Sequence, residues 1–362
     1  MIKTEAWVIK KKGTDASQNL LVLEEFSFQD ISDEEMLVEP LFGCWEGNME
    51  HALNRSPLDL CITRNEDRVV IGNAGVVRVL EVGKSIKEIS VGDVGILFCN
   101  GVPDQHGYPT LIFGYDAPNT IGVLSKKTKL KRHQFIPIPS ESKASLPQWA
   151  AFSLRYVTAW ANWRVAFKSW RLQNEEMDLG SAYAAGWGGG VSLAELELAR
   201  NYGFNAIMIS SRSDRLFLIS DKHIQSLDRR SFSKDSYEAD FINNIMNRTN
   251  GNGVNIFVDN IGANFQAILK CLARQGVITT SGWRSNMIFP VIRSAECINR
   301  HTHIFTHYAR YQEGLDAVNY AEANDWFPTL TEKVYSWNEL PQLAEAYSKG
   351  ELQDYFPIFK VN

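Results

Sequence analysis

From residue 6 to residue 94 the chain alternates short apolar runs with polar turns, and the runs at 7–9, 20–24, 36–40, 69–82 and 94–98 read as strands. The segment Ile71–Gly83 alternates sides after its glycines, as a strand with one buried face does. Leu146, Trp149, Phe152, Tyr156, Ala159 and Trp163 then recur at spacings of three and four, which predicts a helix over 145–167. Beyond it, strand-like and helix-like segments alternate at 206–210, 215–220, 241–247, 254–259, 265–272 and 277–281, with 305–308 as a last strand. That alternation is how a doubly wound parallel sheet is written. The tail (311–323, 340–349 and 355–361) returns to helix and strand signals that complete the β-rich first half.

Between the halves lies Ala182–Arg200, where a small apolar run breaks into Gly186, Gly188, Gly189 and Gly190 and then resumes with Val191, Ala194 and Leu198 at helical spacing. This predicts a strand, a tight turn and a helix. Glycines allow a pyrophosphate to approach the backbone, and the free N–H groups of the following helix receive its charge.

With 362 residues, 44% hydrophobic and 22% charged, the chain is long enough for two cores, and a net charge of −5 argues against nucleic acid and anionic membranes as principal partners. Five cysteines at irregular spacing, with no CxxC, argue against a disulfide framework and a structural zinc site. No long apolar leader or spanning run is present, so the expectation is a cytoplasmic protein. The basic run 126–133 reads as a solvated face that would also suit a phosphate-bearing substrate tail.

After the second strand of the parallel sheet comes Ser210-Ser211-Arg212, followed by Asp214. An acidic residue at that turn would favour NADH, whereas hydroxyls and a guanidinium can bind a 2′-phosphate, so NADPH is the expected cofactor. The competing reading is an ordinary polar turn. Trp187 takes a normally small position and would either pack on the cofactor or obstruct it.

Pieces in order along the chain resemble the medium-chain dehydrogenase/reductase superfamily: Gly72-Asn-Ala-Gly-Val-Val with Glu81-Val-Gly83 and Val91-Gly-Asp93; Thr158-Ala-Trp160; the glycine turn; Val258-Asp-Asn-Ile-Gly262; and Leu272-Ala-Arg-Gln-Gly276 leading to Ser281-Gly282. The resemblance implies an α/β protein with a GroES-like β-rich catalytic domain (1–158 and 309–362) and a Rossmann domain (159–308). It implies cofactor contacts from Thr158, Gly186, Trp187, Gly188, Gly189, Gly190, Val191, Ser192, Ser210, Ser211, Arg212, Asn260 and Gly282, with Ser192 where the family has its last cradle glycine. Of the zinc ligands of the alcohol dehydrogenases only Cys44 remains, since Gly72-Asn73-Ala74 replaces Gly-His-Glu and the later cysteine falls near Leu154, so no metal is expected.

Ile112-Phe-Gly-Tyr-Asp116, Phe305-Thr-His-Tyr-Ala-Arg-Tyr311 and Phe327–Ser336 resemble the crotonyl-CoA carboxylase/reductase group. The resemblance implies an NADPH-dependent reductase of enoyl thioesters carried on coenzyme A or a carrier protein, acting as a homodimer through the 305–308 edge. The group's CO2 pocket of Asn, Phe, Glu and His corresponds to Glu46, Tyr115, Asp116 and His307. Glu46 in place of an amide opposes a forming carboxylate, and Glu46 with Asp116 near one histidine would instead furnish a proton donor. In a rival reading Glu46 faces solvent, Asp116 caps a turn and His307 is structural. Open alternatives are a zinc-independent carbonyl or quinone reductase, a reductive carboxylase and a non-catalytic dinucleotide-binding protein.

Overall fold

The structure is a computed structural model that describes residues 1–11, 21–262, 264–281 and 293–362. Two expectations, Leu20 as a strand residue and Gly282 as a cofactor contact, lie outside the described residues. The chain forms two compact units, Met1–Val157 with Arg310–Asn362, and Thr158–Ala309.

In the first unit a mixed sheet runs in the order Phe135–Pro137, Val94–Leu97, Gly75–Val82, Glu35–Cys44, Ile358–Lys360 and Val334–Tyr335. A smaller sheet places Ile2–Lys10 between Val22–Phe28 and Arg68–Val69. The tail returns as the sequence pattern predicts: Ile358 lies opposite Cys44 and Phe359 opposite Gly43, antiparallel. The core is aromatic, with Trp45 edge-on to Phe359 at 6.5 Å and Trp7 against Trp337 at 6.3 Å.

The helix expected from residue 145 starts at Leu146 because Ser145 and Gln148 cap it reciprocally: the Ser145 hydroxyl accepts from the Gln148 N–H, and the Gln148 side chain accepts from the Ser145 N–H. It runs Leu146–Ala151, widens to a π-helical turn over Phe152–Tyr156, and continues as Val157–Gln173. A π turn frees backbone groups and re-aims side chains, and such turns often mark functional positions. Here the turn carries Ser153, whose hydroxyl accepts from the Gly75 N–H at 2.9 Å, and Arg155.

The second unit is the expected doubly wound sheet, with six strands among the described residues, all parallel, in the order Gln225–Asp228, Asn205–Ser210, Tyr183–Trp187, Val254–Asp259, Leu272–Thr279 and His303–Phe305. The strand Tyr183–Trp187 is flanked by Asn205–Ser210 on one side and Val254–Asp259 on the other, so the chain order reverses there. In open α/β sheets ligands bind at such a switch point. The segment 215–220 falls on the short helix Ser213–Phe217, whereas two elements differ from the sequence reading: the last strand is His303–Phe305 rather than 305–308, and Gln225–Asp228 is an unforeseen strand with one buried residue, Leu227. Among the described residues no helix is long and apolar enough to cross a membrane.

Candidate functional site

The cradle forms where the central parallel strand ends. Gly188 has φ +124°, a conformation open to glycine, and Gly189 precedes the helix Gly190–Asn201 with no side chain capping it. A Cβ built on Gly189 would meet nothing within 4 Å, so the space above the helix N-terminus is open. The first N–H groups of that helix have no carbonyl partner within it, which suits them to a phosphate.

Trp187 is a correction. Its indole neither packs on the cradle nor obstructs it, because the ring is 1% exposed within the core of the second unit, against Phe241 at 5.4 Å and Phe257 at 5.9 Å. Its Nε1–H donates to Asp259 Oδ1 at 2.6 Å, and the same oxygen accepts from the N–H groups of Ile261 and Gly262. The tryptophan thus braces the turn after the neighbouring strand from below.

Ser192 is also committed internally. Its hydroxyl donates to the Trp187 carbonyl at 2.7 Å and accepts from Asn260 Nδ2 at 2.8 Å. Asn260 Oδ1 in turn accepts from the Ser281 N–H at 2.8 Å and its hydroxyl at 3.0 Å. Ser192 and Asn260 therefore tie the cradle helix to the ends of two strands, which makes them braces of the cradle. Val191 and Thr158 are half-buried on their helices.

At the end of Asn205–Ser210, the Ser210 hydroxyl accepts from the Arg212 N–H at 3.0 Å. Arg212 grips Asp214 through two hydrogen bonds, Nε to Oδ1 at 3.0 Å and Nη2 to Oδ2 at 2.5 Å, and holds that carboxyl below its usual range. Asp214 thus orients the guanidinium. The unforeseen strand contributes what the sequence reading missed: Arg229 Nη2 donates to the Ser211 hydroxyl at 3.4 Å, and the charge of Arg230 bears on Arg212. Arg230 is itself paired with Asp228 at 2.7 Å, so the two strand ends carry Arg212–Asp214 and Arg230–Asp228 ion pairs beside Ser210 and Ser211, with Arg229 next to them.

In the first unit Glu46 is 4% exposed, which removes the reading that it faces solvent. Its Oε2 accepts from Arg155 Nε at 2.8 Å. Arg155 also donates to the carbonyls of Trp45, at 2.9 Å, and Tyr355, and points Nη1 at Cys44 Sγ, 3.8 Å away. Burial pushes the Glu46 carboxyl above its ordinary value, and the guanidinium offsets this only in part. The Cys44 thiol is driven well up by the same burial. Asp116 caps a turn, its Oδ1 accepting from the Ile112 N–H at 2.5 Å. Both carboxylates act on Cys99, whose thiol is pushed up to about 12, mainly by burial. Tyr115 is buried, its phenol likewise pushed up to about 12 by burial and by Asp116.

His307 belongs to the second unit, where its backbone N–H donates to Asn162 Oδ1 at 3.1 Å. A carboxyl pair on one histidine is accordingly not assembled within either unit. Among the described residues no three His, Cys, Asp or Glu side chains could hold a metal ion. Three of the basic side chains of the run 126–133 are engaged locally: Lys129 pairs with Glu35 at 3.0 Å, Arg132 with Glu88, and Lys126 sits over the Trp337 ring at 4.5 Å.

A β-rich unit interrupted in sequence by a parallel-sheet unit is a fold this chain shares with solved crotonyl-CoA carboxylase/reductases and alcohol dehydrogenases. No family model matches the chain and no curated protein matches it by sequence. Among solved structures it is similar to a crotonyl-CoA carboxylase/reductase at 18% identity, covering 99% of this chain and 88% of that one, with a TM-score of 0.81. The crotonyl-CoA carboxylase/reductase AntE, solved in complex with NADP, aligns at 15% identity over 99% and 94% of the two chains, with a TM-score of 0.80. An alcohol dehydrogenase from Thermotoga maritima gives 19%, 99%, 100% and 0.78 for the same measures.

Proposed function

We propose that this chain is an NADPH-dependent reductase of α,β-unsaturated thioesters carried on coenzyme A or a carrier protein. The observation that carries the reading is the open glycine cradle followed by Ser211, Arg212, Arg229 and Arg230 at the neighbouring strand ends. These residues fit a dinucleotide with a 2′-phosphate. Bound there, NADPH supplies a hydride.

Gly188–Gly190 admit the pyrophosphate to the backbone, and Ser192 with Asn260 keep the helix N-terminus in place beneath it. Arg212, held by Asp214, and Arg229, held by Ser211, would receive the 2′-phosphate. Replacing Arg212 by Ala is expected to weaken NADPH binding roughly tenfold and leave NADH binding nearly unchanged, as loss of one charge-assisted hydrogen bond implies. Quenching of tryptophan emission reads both affinities.

The non-catalytic alternative drew on Trp187 filling the cofactor site, and the indole lies in the core instead. Reductive carboxylation is disfavoured because Glu46, where the carboxylating group has an amide, is held by Arg155 with no N–H to offer CO2. The open edge of His303–Phe305, which has a neighbour on one side only among the described residues, supports a homodimer, to be read by light scattering.

The deciding experiment follows NADPH oxidation with a panel of enoyl thioesters, with and without bicarbonate, and weighs the products. The saturated acyl thioester is expected under both conditions. A product heavier by one carboxyl group would restore carboxylation, and turnover only with quinones or aldehydes would replace the thioester reading with that of a carbonyl or quinone reductase.

A further inference from the structure

The first unit contains an amide that its own fold leaves without partners. Asn73 is 1% exposed, and among the described residues neither its Nδ2 nor its Oδ1 has a hydrogen-bond partner. An apolar residue of the same size would suit that interior better, so the amide is explained by something it meets when the protein works.

Its surroundings are fixed by backbone contacts on three sides. The Gly72 N–H donates to the Gly114 carbonyl at 2.9 Å, the Ala74 carbonyl accepts from the Cys44 N–H at 3.2 Å, and the Gly75 N–H is held by Ser153 at 2.9 Å. The approach at Gly114 requires glycine: φ is +63°, and a Cβ there would lie 2.3 Å from the Gly72 carbonyl oxygen. Asn73 is thereby clamped between the segment ending in Cys44-Trp45-Glu46 and the turn that carries Tyr115. Each of those neighbours brings another buried polar atom without a hydrogen-bond partner, Glu46 Oε1 and the Tyr115 hydroxyl. The phenol keeps its proton, since burial and Asp116 push it up to about 12. An unpartnered amide N–H suits an acceptor with free lone pairs, which describes a carbonyl oxygen.

We propose that Asn73 receives the carbonyl oxygen of the acyl substrate and donates a hydrogen bond to it as negative charge grows there. This rests on the reductase reading above. The reduced dinucleotide would supply a hydride, its C4–H bond breaking with both electrons to leave the oxidised form, and the new C–H bond would form at the substrate's β-carbon. The alkene pair moves to join the α-carbon and the carbonyl carbon, and the carbonyl π pair becomes charge on oxygen. A proton from water then adds at the α-carbon and the carbonyl re-forms. The Asn73 N–H stabilises the charged oxygen more than the neutral one, which is how such a donor accelerates a reaction.

The test uses the full chain with Asn73→Leu and Asn73→Ser, and three conjugated carbonyl compounds: crotonyl-CoA, cyclohexenone and benzoquinone. For whichever are reduced, Asn73→Leu should lower kcat about 100-fold or more, the loss typical of one oxyanion donor. NADPH affinity, melting temperature and the shape of the pH profile should hold, because an amide does not titrate. Asn73→Ser, which keeps a donor, should recover part of the rate. Without dinucleotide, the infrared carbonyl stretch of the bound compound should fall to lower frequency in the native protein and return towards its solution value in Asn73→Leu. A kcat within about threefold of native, a melting temperature that drops with the activity, or an unshifted stretch in the native protein overturns the proposal. If Asn73→Leu does not fold, the native stretch and Asn73→Ser decide. If crotonyl-CoA is ignored while an enone or quinone depends on Asn73, the thioester reading falls and this one stands. Failure to bind all three overturns both.

Discussion

Two glutamates, one in each unit, are buried to the same degree and are treated in opposite ways. Glu46, 4% exposed, faces the Arg155 guanidinium at 2.8 Å, whereas Glu195, 0% exposed on the cradle helix, has no hydrogen-bond partner for either oxygen among the described residues. Burial alone drives the Glu195 carboxyl well above its ordinary value. Glu197, two residues along the same helix, meets Lys222 at 2.6 Å, so the lack of a partner is particular to position 195. An interior answers the cost of a carboxylate either with a cation or by keeping the proton, and this chain does both.

The largest expected effect comes from removing the cation. Arg155→Met strands Glu46 and should cost about 3–5 kcal/mol in urea unfolding, while adding Glu46→Leu to it should recover most of that loss. A double variant as unstable as the single one would show that Arg155 acts through the Trp45 and Tyr355 carbonyls rather than through Glu46.

Next is Trp187→Phe, which keeps an aromatic ring in the core but deletes the N–H that Asp259 accepts. The expected cost is about 1–3 kcal/mol, read as a shift in the denaturation midpoint, because a buried carboxylate loses a hydrogen bond.

Of similar size, but pH-dependent, is the effect at Glu195. Its pKa is raised in the folded state, so the native protein holds a proton that the unfolded chain releases, and stability falls as pH rises above the ordinary glutamate range. Glu195→Gln should flatten that decline between pH 5 and 8 in chemical denaturation. Glu195→Leu should in addition raise stability by about 1–3 kcal/mol, the cost of an unsatisfied buried polar group. An unchanged slope in both variants would mean that Glu195 finds a partner in solution.

The candidate site was legible in the sequence where its backbone geometry is local. Gly186–Gly190 announce a strand, a turn and a helix start within a few residues, and Ser210-Ser211-Arg212 follow the next strand directly. Arg229 and Arg230 were invisible because the strand Gln225–Asp228 that delivers them is an edge strand with Leu227 as its one buried residue, too little for a period-2 pattern. Arg155 was hidden in an apolar helical stripe, where a single charge reads as noise. Asn73 was seen only as a lost metal ligand, since being without a partner is a property of the surroundings.

By itself, then, the sequence determined a β-rich part, an alternating strand–helix part and the position of the glycine turn between strand and helix, because periodicity, capping and glycine turns act between residues a few places apart. The tertiary structure alone decided which way Trp187 turns, since a central parallel strand is buried on both faces and alternation cannot rank them. It alone decided that Arg155 answers Glu46, a choice made across a separation like the 110 residues between Arg155 and Trp45. Desolvation and hydrogen-bond partnership are set by what the folded chain brings close, and those neighbours are far apart in sequence.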